Sequence, residues 1–511
     1  MDYLERIRQA RVYDVAERTP LQRAPQLSGR LGCEVWLKRE DLQRTFSFKL
    51  RGAYNKISGL GEQQRARGVI AVSAGNHAQG VALAASKLDL DAVIVMPRTT
   101  PPIKVNAVHA LGGNIVLEGD DYDAASRYAL QKAEDEQRIF VHPYDDPDVI
   151  AGQGTIAVEI CEQCAALPDA VFIPVGGGGL LAGMGLWLRH AAPDTRVVGV
   201  EPEDAPSMAR ALESDERVCL KQVGLFADGA AVRQVGEETF RLARECVDEM
   251  ILVSIDEICA AIKDIFEETR VLVEPAGALA VAGIKRYVQA HAVQGQTLVA
   301  VNSGANINFD RLRHVSERSE LGEGHEGIFA VTIPERPGSF RKFCEAVGDH
   351  SISEFNYRYA DSQDAQIFVG IKFRDAADEK PGWVARLREC GYGVQDLSDN
   401  ETAKLHLRYM VGGHTSSDQR EILYRFEFPE RPGALLDFLS SMGHNWNISL
   451  FHYRNHGSAY GRVLVGMQVP EGEMNELRAF LETLGYRYYE ETANAACRTF
   501  LGRIGRDAGG G

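Results

Sequence analysis

The sequence lacks the features that would make it secreted, membrane-bound or nucleic-acid-binding. Its 511 residues contain no apolar run near the roughly 18 residues that a membrane-spanning helix needs. Its opening Met1-Asp2-Tyr3-Leu4-Glu5-Arg6 has charges where a signal peptide carries an apolar stretch, so a cytoplasmic location is expected. Basic residues are in the minority: 56 Lys and Arg against 72 Asp and Glu leave a net charge of −16. That balance argues against nucleic acid and against anionic membranes, because both are gripped by clustered Lys and Arg. Cysteine is sparse, with nine residues scattered from Cys33 to Cys497, an odd number and no disulfide framework. The one Cys-x-x-Cys pair, Cys161 and Cys164, has no second pair and no nearby His. It reads as two thiols on a helix rather than a metal or redox centre.

What is present is a long alternation of short β-rich runs and helical patterns from about residue 20 to 310. The strands Val69–Val72, Ala92–Met96, Val171–Val175 and Val197–Val200 are nearly continuous in apolar residues, and helices are expected at 77–88 and 180–190. This is the pattern of a parallel sheet covered on both faces, in which ligands sit at the carboxyl ends of strands. From Arg311 to Gly327 the composition turns polar and a linker is expected. Two similar halves follow. Pro334-Glu335-Arg336-Pro337-Gly338 recurs 95 residues on at Pro429, Phe355-Asn356-Tyr357-Arg358 recurs 96 on at Phe451, and Val369-Gly370 recurs 96 on at Val465. Three blocks in one order at nearly one offset are an internal duplication. Each half reads as a small α+β module: a strand (328–333; 422–428), a Pro-Gly turn, an amphipathic helix (339–347; 434–442), then further strands. The expected domains are 1–320, 326–411 and 420–505.

Three strand-to-helix loops carry chemistry. Gly176-Gly177-Gly178-Gly179-Leu180 follows a strand and opens a helix; converging N–H groups there can hold an anion, or the loop is only a tight turn. It is not a dinucleotide fingerprint, which needs Gly-x-Gly-x-x-Gly after the first strand and an acid about 20 residues on. Ser73-Ala74-Gly75-Asn76-His77 can grip a carboxylate, or Asn76 simply caps a helix. Lys49, in Ser47-Phe48-Lys49-Leu50-Arg51-Gly52, is either a solvated charge or an amine with a lowered pKa, able to condense with an aldehyde. A phosphate cradle, a carboxylate grip and a reactive amine on one scaffold point to pyridoxal 5'-phosphate and an amino-acid substrate.

These motifs resemble the serine/threonine dehydratases, pyridoxal-phosphate enzymes of the tryptophan synthase β-like fold (fold-type II). With the duplicated C-terminal region, the chain is similar over essentially its whole length to the biosynthetic threonine dehydratases. The resemblance implies an α/β catalytic domain followed by tandem ACT-like (ferredoxin-like) regulatory modules. It implies that Lys49 carries the cofactor and acts as base, that Phe48 packs beside the ring, and that Asn76 bonds the ring hydroxyl. Gly176, Gly177, Gly178, Gly179 and Leu180 then bind the phosphate, and Ser303 faces the ring nitrogen. Ser73, Ala74, Asn76 and His77 frame the substrate carboxylate. Glu274-Pro275-Ala276-Gly277 matches a further family motif beside the site.

The implied reaction converts L-threonine to 2-oxobutanoate and L-serine to pyruvate, each with ammonia, in a homotetramer inhibited by isoleucine and relieved by valine. Phe340, Leu435, Leu439 and Phe451 are the candidate effector residues, with packing in the module cores as the alternative. Serine racemase shares the scaffold but needs a serine where this chain has Ala74, so racemisation is not expected. The family's divalent-metal pattern appears at Glu201 and Ala205 but carries Ser207 in place of a carboxylate, so no metal is expected. A non-enzymatic amino-acid sensor and a catabolic dehydratase are the remaining readings. The intact loops count against the first, and the duplicated C-terminal region against the second.

Overall fold

Runs of β-branched residues buried on both faces build two parallel sheets in the first half of the chain, which is described here by a computed structural model. The structure describes residues 2–334, 339–348, 350, 352–359, 364–409, 421–429, 446–454 and 460–501. It divides into two units, Met1–Ser319 and Glu320–Gly511. In the first unit a four-stranded sheet runs in the order Asn114–Leu117, Ala92–Met96, Val69–Val72, Ile139–Phe140, all parallel. A six-stranded sheet runs in the order Leu21–Arg23, Glu34–Arg39, Thr297–Asn302, Ala170–Pro174, Arg196–Pro202, Glu249–Val253. Only its first strand is antiparallel. Val69–Val72, Ala92–Met96 and Ala170–Pro174 are buried at every residue, as strands sandwiched between helices require.

The helix Lys49–Ser58 is set by close backbone approaches. A Cβ on Gly80 would lie 3.1 Å from the backbone of Lys49 and Leu50, and one on Gly152 would lie 2.7 Å from Gly52 Cα. The helices Asn76–Lys87 and Pro147–Gln163 can therefore press directly on the start of the lysine helix. Within this packing lies a fully buried ionic cluster. Arg51 donates to Glu40 at 2.8 Å and to Glu159 at 2.7 Å, and Lys38 reaches Glu159 at 2.6 Å.

The expected linker is instead a helix, Leu312–Gly322. Its polar composition conceals a packed face: His314, Val315, Arg318 and Ser319 are buried, at the i, i+1, i+4, i+5 spacing of one helix stripe, and Arg318 pairs with Asp256. The second unit holds two antiparallel four-stranded sheets, in the orders Ile352–Tyr359, Asp364–Lys372, Glu326–Pro334, Gly393–Asp396 and Asn447–Arg454, Tyr460–Gln468, Glu421–Pro429, Arg487–Glu490. With helices Ser339–Val347 and Ala376–Glu389, the first half is a ferredoxin-like βαββαβ module. The duplication recurs in the pairing: Phe355 faces Val369, and Phe451 faces Val465. Each module has its own apolar core, and a third cluster joins the two halves through Ile328, Phe368, Leu423 and Phe500. The expected helix at 434–442, with Leu435 and Leu439, lies outside the described residues, as do the side chains of Phe340 and Phe451. Among the described residues no helix is long and apolar enough to cross a membrane.

Candidate active site

Lys49 is the first residue of its helix, so its side chain leaves from the end that faces the carboxyl edges of the strands. Its Nζ donates to Pro143 O at 2.9 Å and lies 5.3 Å from the centre of the Phe48 ring. Burial pulls the amine's pKa down to about 8, against the opposing pull of the Glu274 charge. Phe48 is half-buried on the apolar cluster that contains Val171 and Val301.

The Ser73–His77 loop links Val69–Val72 to the helix that begins at Asn76. Gly75, not Asn76, is the N-cap, and Ser73 Oγ accepts the Gly75 N–H at 3.1 Å. The Asn76 side chain leaves the helix altogether and meets Glu274 and Asn306. His77 turns its Nε2 to Val141 O at 2.9 Å, and burial followed by the Lys49 charge drives its pKa down to about 3. A neutral imidazole adds no positive charge, so any carboxylate here would rely on the N–H groups of the first helical turn, which have no intrahelical acceptor.

The glycine loop leaves the strand Ala170–Pro174 and enters the helix Gly179–Ala191. Gly178 has φ of +95°, with Thr239 Oγ1 2.9 Å and Met208 Cε 2.6 Å from where a Cβ would stand. A Cβ on Gly177 would collide with the Tyr144 ring. Thr239 Oγ1 donates to Gly177 O at 2.7 Å; in a trans peptide this turns the Gly178 N–H away from Thr239. That N–H joins the free donors of the helix start. Ser303 is buried at the end of Thr297–Asn302, and its Oγ reaches Ala276 O at 3.3 Å. A glycine loop at a helix start where a Cβ at Gly177 or Gly178 would collide, a half-buried amine and a neutral hydroxyl fit a phosphorylated pyridine aldehyde.

Several groups around the site were not expected from the sequence. The Pro143 carbonyl, the Tyr144 ring, Thr239 and Asn306 reach it from distant segments. Asp228 is held well below the usual carboxylate range because Lys104, at 2.5 Å, and Arg311 outweigh its burial. Glu274, the acid of the Glu-Pro-Ala-Gly motif, is pushed up to about 7 by burial and by the Asp228 charge. Away from these loops, Glu201 caps the helix Ser207–Ser214, accepting from the N–H groups of Met208 and Ala209 at 2.8 Å each. Burial pushes its pKa up to about 8.

Comparison with known proteins accords with this geometry. Residues 12–304 match the family model described as pyridoxal-phosphate dependent enzyme. Residues 317–407 and 412–501 match the one described as the C-terminal regulatory domain of threonine dehydratase. The chain is 54% identical over 503 residues to the biosynthetic L-threonine dehydratase IlvA of Burkholderia multivorans, covering 98% of this chain and 99% of that one. It is 50% identical to the enzyme of the same name from Escherichia coli, covering 98% and 97%. Among solved structures, processed threonine deaminase isoform 2 of Solanum lycopersicum aligns with a TM-score of 0.61 and 50% identity, over 62% of this chain and 88% of that one. Serine racemase of Dictyostelium discoideum aligns with a TM-score of 0.56 and 32% identity, over 60% and 99%. The chain belongs to the biosynthetic threonine dehydratase family of pyridoxal-phosphate-dependent enzymes.

Proposed function

We propose that this protein converts L-threonine to 2-oxobutanoate and ammonia, and L-serine to pyruvate and ammonia, with Lys49 as both cofactor anchor and general base. The observation that carries the reading is the half-buried Lys49 amine at the helix start, held by the Pro143 carbonyl at 2.9 Å. Pyridoxal phosphate, when bound, supplies a sink for the electron pair left at Cα after deprotonation. The Lys49 amine, where free, would take the Cα proton; an amine with pKa about 8 has a usable neutral fraction near neutral pH. The first-turn N–H groups at Asn76 and His77 orient the substrate carboxylate. Gly176 to Leu180 hold the phosphate through main-chain donors. Ser303, by turning its hydroxyl hydrogen from Ala276 O, would offer the ring nitrogen a neutral donor, which does not keep that nitrogen protonated. The β-hydroxyl would leave as water, the proton it carries off balanced by the one Lys49 takes from Cα. The released enamine tautomerises and hydrolyses, so the water lost at the β-carbon is regained and ammonia leaves.

Ala74, directly before Gly75, has no proton to give, so this position supplies no second acid–base group. The tandem modules are read as the sensor for isoleucine, with valine opposing it, and the protein as a homotetramer. For the effector to act, it must bind two states of the chain with different affinity. Purified protein incubated with L-threonine should release 2-oxobutanoate and ammonia in equal amounts, and should form no D-serine from L-serine. Keto acid absent in the presence of pyridoxal phosphate, or D-serine formed as fast as pyruvate, would refute the reading.

A further inference from the structure

Glu274 is a buried carboxylate that neither anchors the cofactor nor touches the glycine loop. It precedes the helix Pro275–His291 and is 5% exposed, and its N–H donates to Gly304 O at 3.1 Å. Its Oε1 accepts from Asn76 Nδ2 at 2.5 Å. On the other side of the same amide, Asn76 Oδ1 accepts from Asn306 Nδ2 at 2.6 Å, and Asn306 Nδ2 also donates to Thr45 O at 2.8 Å.

The orientation of this chain of amides follows by elimination. Thr45 O is a main-chain carbonyl and can only accept, so the Asn306 atom facing it is the nitrogen. That nitrogen spends its second hydrogen on Asn76, so the Asn76 atom facing it is the oxygen. The Asn76 nitrogen therefore faces Glu274, whose carboxylate accepts. One Asn76 N–H is left without a partner among the described residues, and the amide has only a donor to offer in that direction.

We propose that Glu274 and Asn306 are positioning residues that commit the Asn76 amide to donate its remaining N–H to the cofactor ring oxygen, holding that oxygen in its anionic form. This rests on the assignment of Asn76 as the ring-oxygen partner. Donation to the charged form of an acid favours that form, so the lock lowers the ring-oxygen pKa. Without it, the Asn76 amide is free to turn its carbonyl toward the ring oxygen, which would then keep its proton. Glu274 also faces charges from other elements: Asp228 raises its pKa, Lys104 and Arg311 lower it, and Lys49 feels its charge in turn. Any substitution of Glu274 therefore alters charge as well as geometry, whereas Asn306→Ala alters geometry alone.

The test uses the full-chain holoenzyme and two readouts other than turnover: the pH midpoint of the visible absorption band of the bound cofactor, and the phosphorus resonance of its phosphate. Asn306→Ala is expected to raise the midpoint by about one pH unit and to leave the phosphorus resonance where it is. Glu274→Gln keeps an acceptor toward Asn76 Nδ2, so its midpoint should be no higher than that of the unsubstituted protein. Glu274→Leu removes the acceptor and should raise the midpoint. Loss of a negative charge alone would lower it, so a fall would overturn the proposal. An unchanged midpoint in Asn306→Ala would overturn it equally, and Glu274→Leu carries the test if that variant does not fold. A visible band in the unsubstituted holoenzyme that does not titrate would instead overturn the assignment of Asn76 to the ring oxygen, and the inference with it.

Discussion

Replacing Arg51 with alanine tests whether the buried ionic cluster holds the lysine helix in place. Arg51 is fully buried two residues beyond Lys49, with Glu40 at 2.8 Å, Glu159 at 2.7 Å, Thr155 at 3.1 Å and Glu17 O at 3.1 Å. In its absence Glu159 still has Lys38 at 2.6 Å and the Tyr13 hydroxyl at 3.0 Å. Glu40 keeps only neutral donors, Thr19 at 2.5 Å and Gln43 at 3.1 Å, so one carboxylate is stranded. Breaking a buried pair by removing one partner costs about 3–5 kcal/mol, and urea unfolding of the full chain followed by circular dichroism would measure it. The sign of the pH dependence is a second check. In the intact protein burial pushes Glu40 up, but Arg51 and Lys38 outweigh it and hold the carboxyl low. Without Arg51 the burial is less opposed, and the folded-state pKa rises above the unfolded value of about 4.3. A raised carboxyl penalises the fold at high pH and is relieved as acid protonates it, so the deficit should shrink from pH about 8 to about 5. A loss below about 1 kcal/mol, or one that grows in acid, would refute the assignment.

Three other outcomes are expected. The kcat for threonine should rise with pH and level off near the Lys49 pKa of about 8, because Lys49 is a free amine only once substrate has taken its place and only the neutral amine can take a proton; a kcat profile flat from pH about 6 to about 9 would contradict this. Gly177→Ala drives a methyl group against the Tyr144 ring, and overpacking of this kind costs about 1–3 kcal/mol. Retention of the visible cofactor band during dialysis should therefore fall by about tenfold or more; full retention would show that the loop can yield. A chain ending after Gly322 keeps the helix begun at Leu312 and should turn over threonine without responding to isoleucine; retained inhibition would put the effector site in the first unit.

The parts of the site legible in the sequence are those in which one contiguous loop carries the chemistry. Lys49, Ser73 to His77 and Gly176 to Leu180 each sit between a strand and a helix, where composition and spacing reveal them. The duplication was legible for a similar reason, since equal offsets in sequence became equal registers in the two sheets. Asn306 meets Asn76 across 230 positions, and Thr239 meets Gly177 across 62; no local pattern marks either pair. Arg51 lies in the lysine motif, but its partners Glu40 and Glu159 come from 11 and 108 positions away and no local pattern marks them. The polar run after Arg311 concealed a helix because its buried face includes His314, Arg318 and Ser319, whose residue types alone suggest solvent.

The most direct measurement of the central claim compares 2-oxobutanoate release by Lys49→Ala with that of the unsubstituted protein. Both should be loaded with pyridoxal phosphate, with occupancy checked by the phosphorus resonance of its phosphate. With both tether and base removed, release from L-threonine should be lost while the phosphate signal remains. Sustained release by the loaded variant would contradict the assignment of Lys49 as the proton-abstracting group.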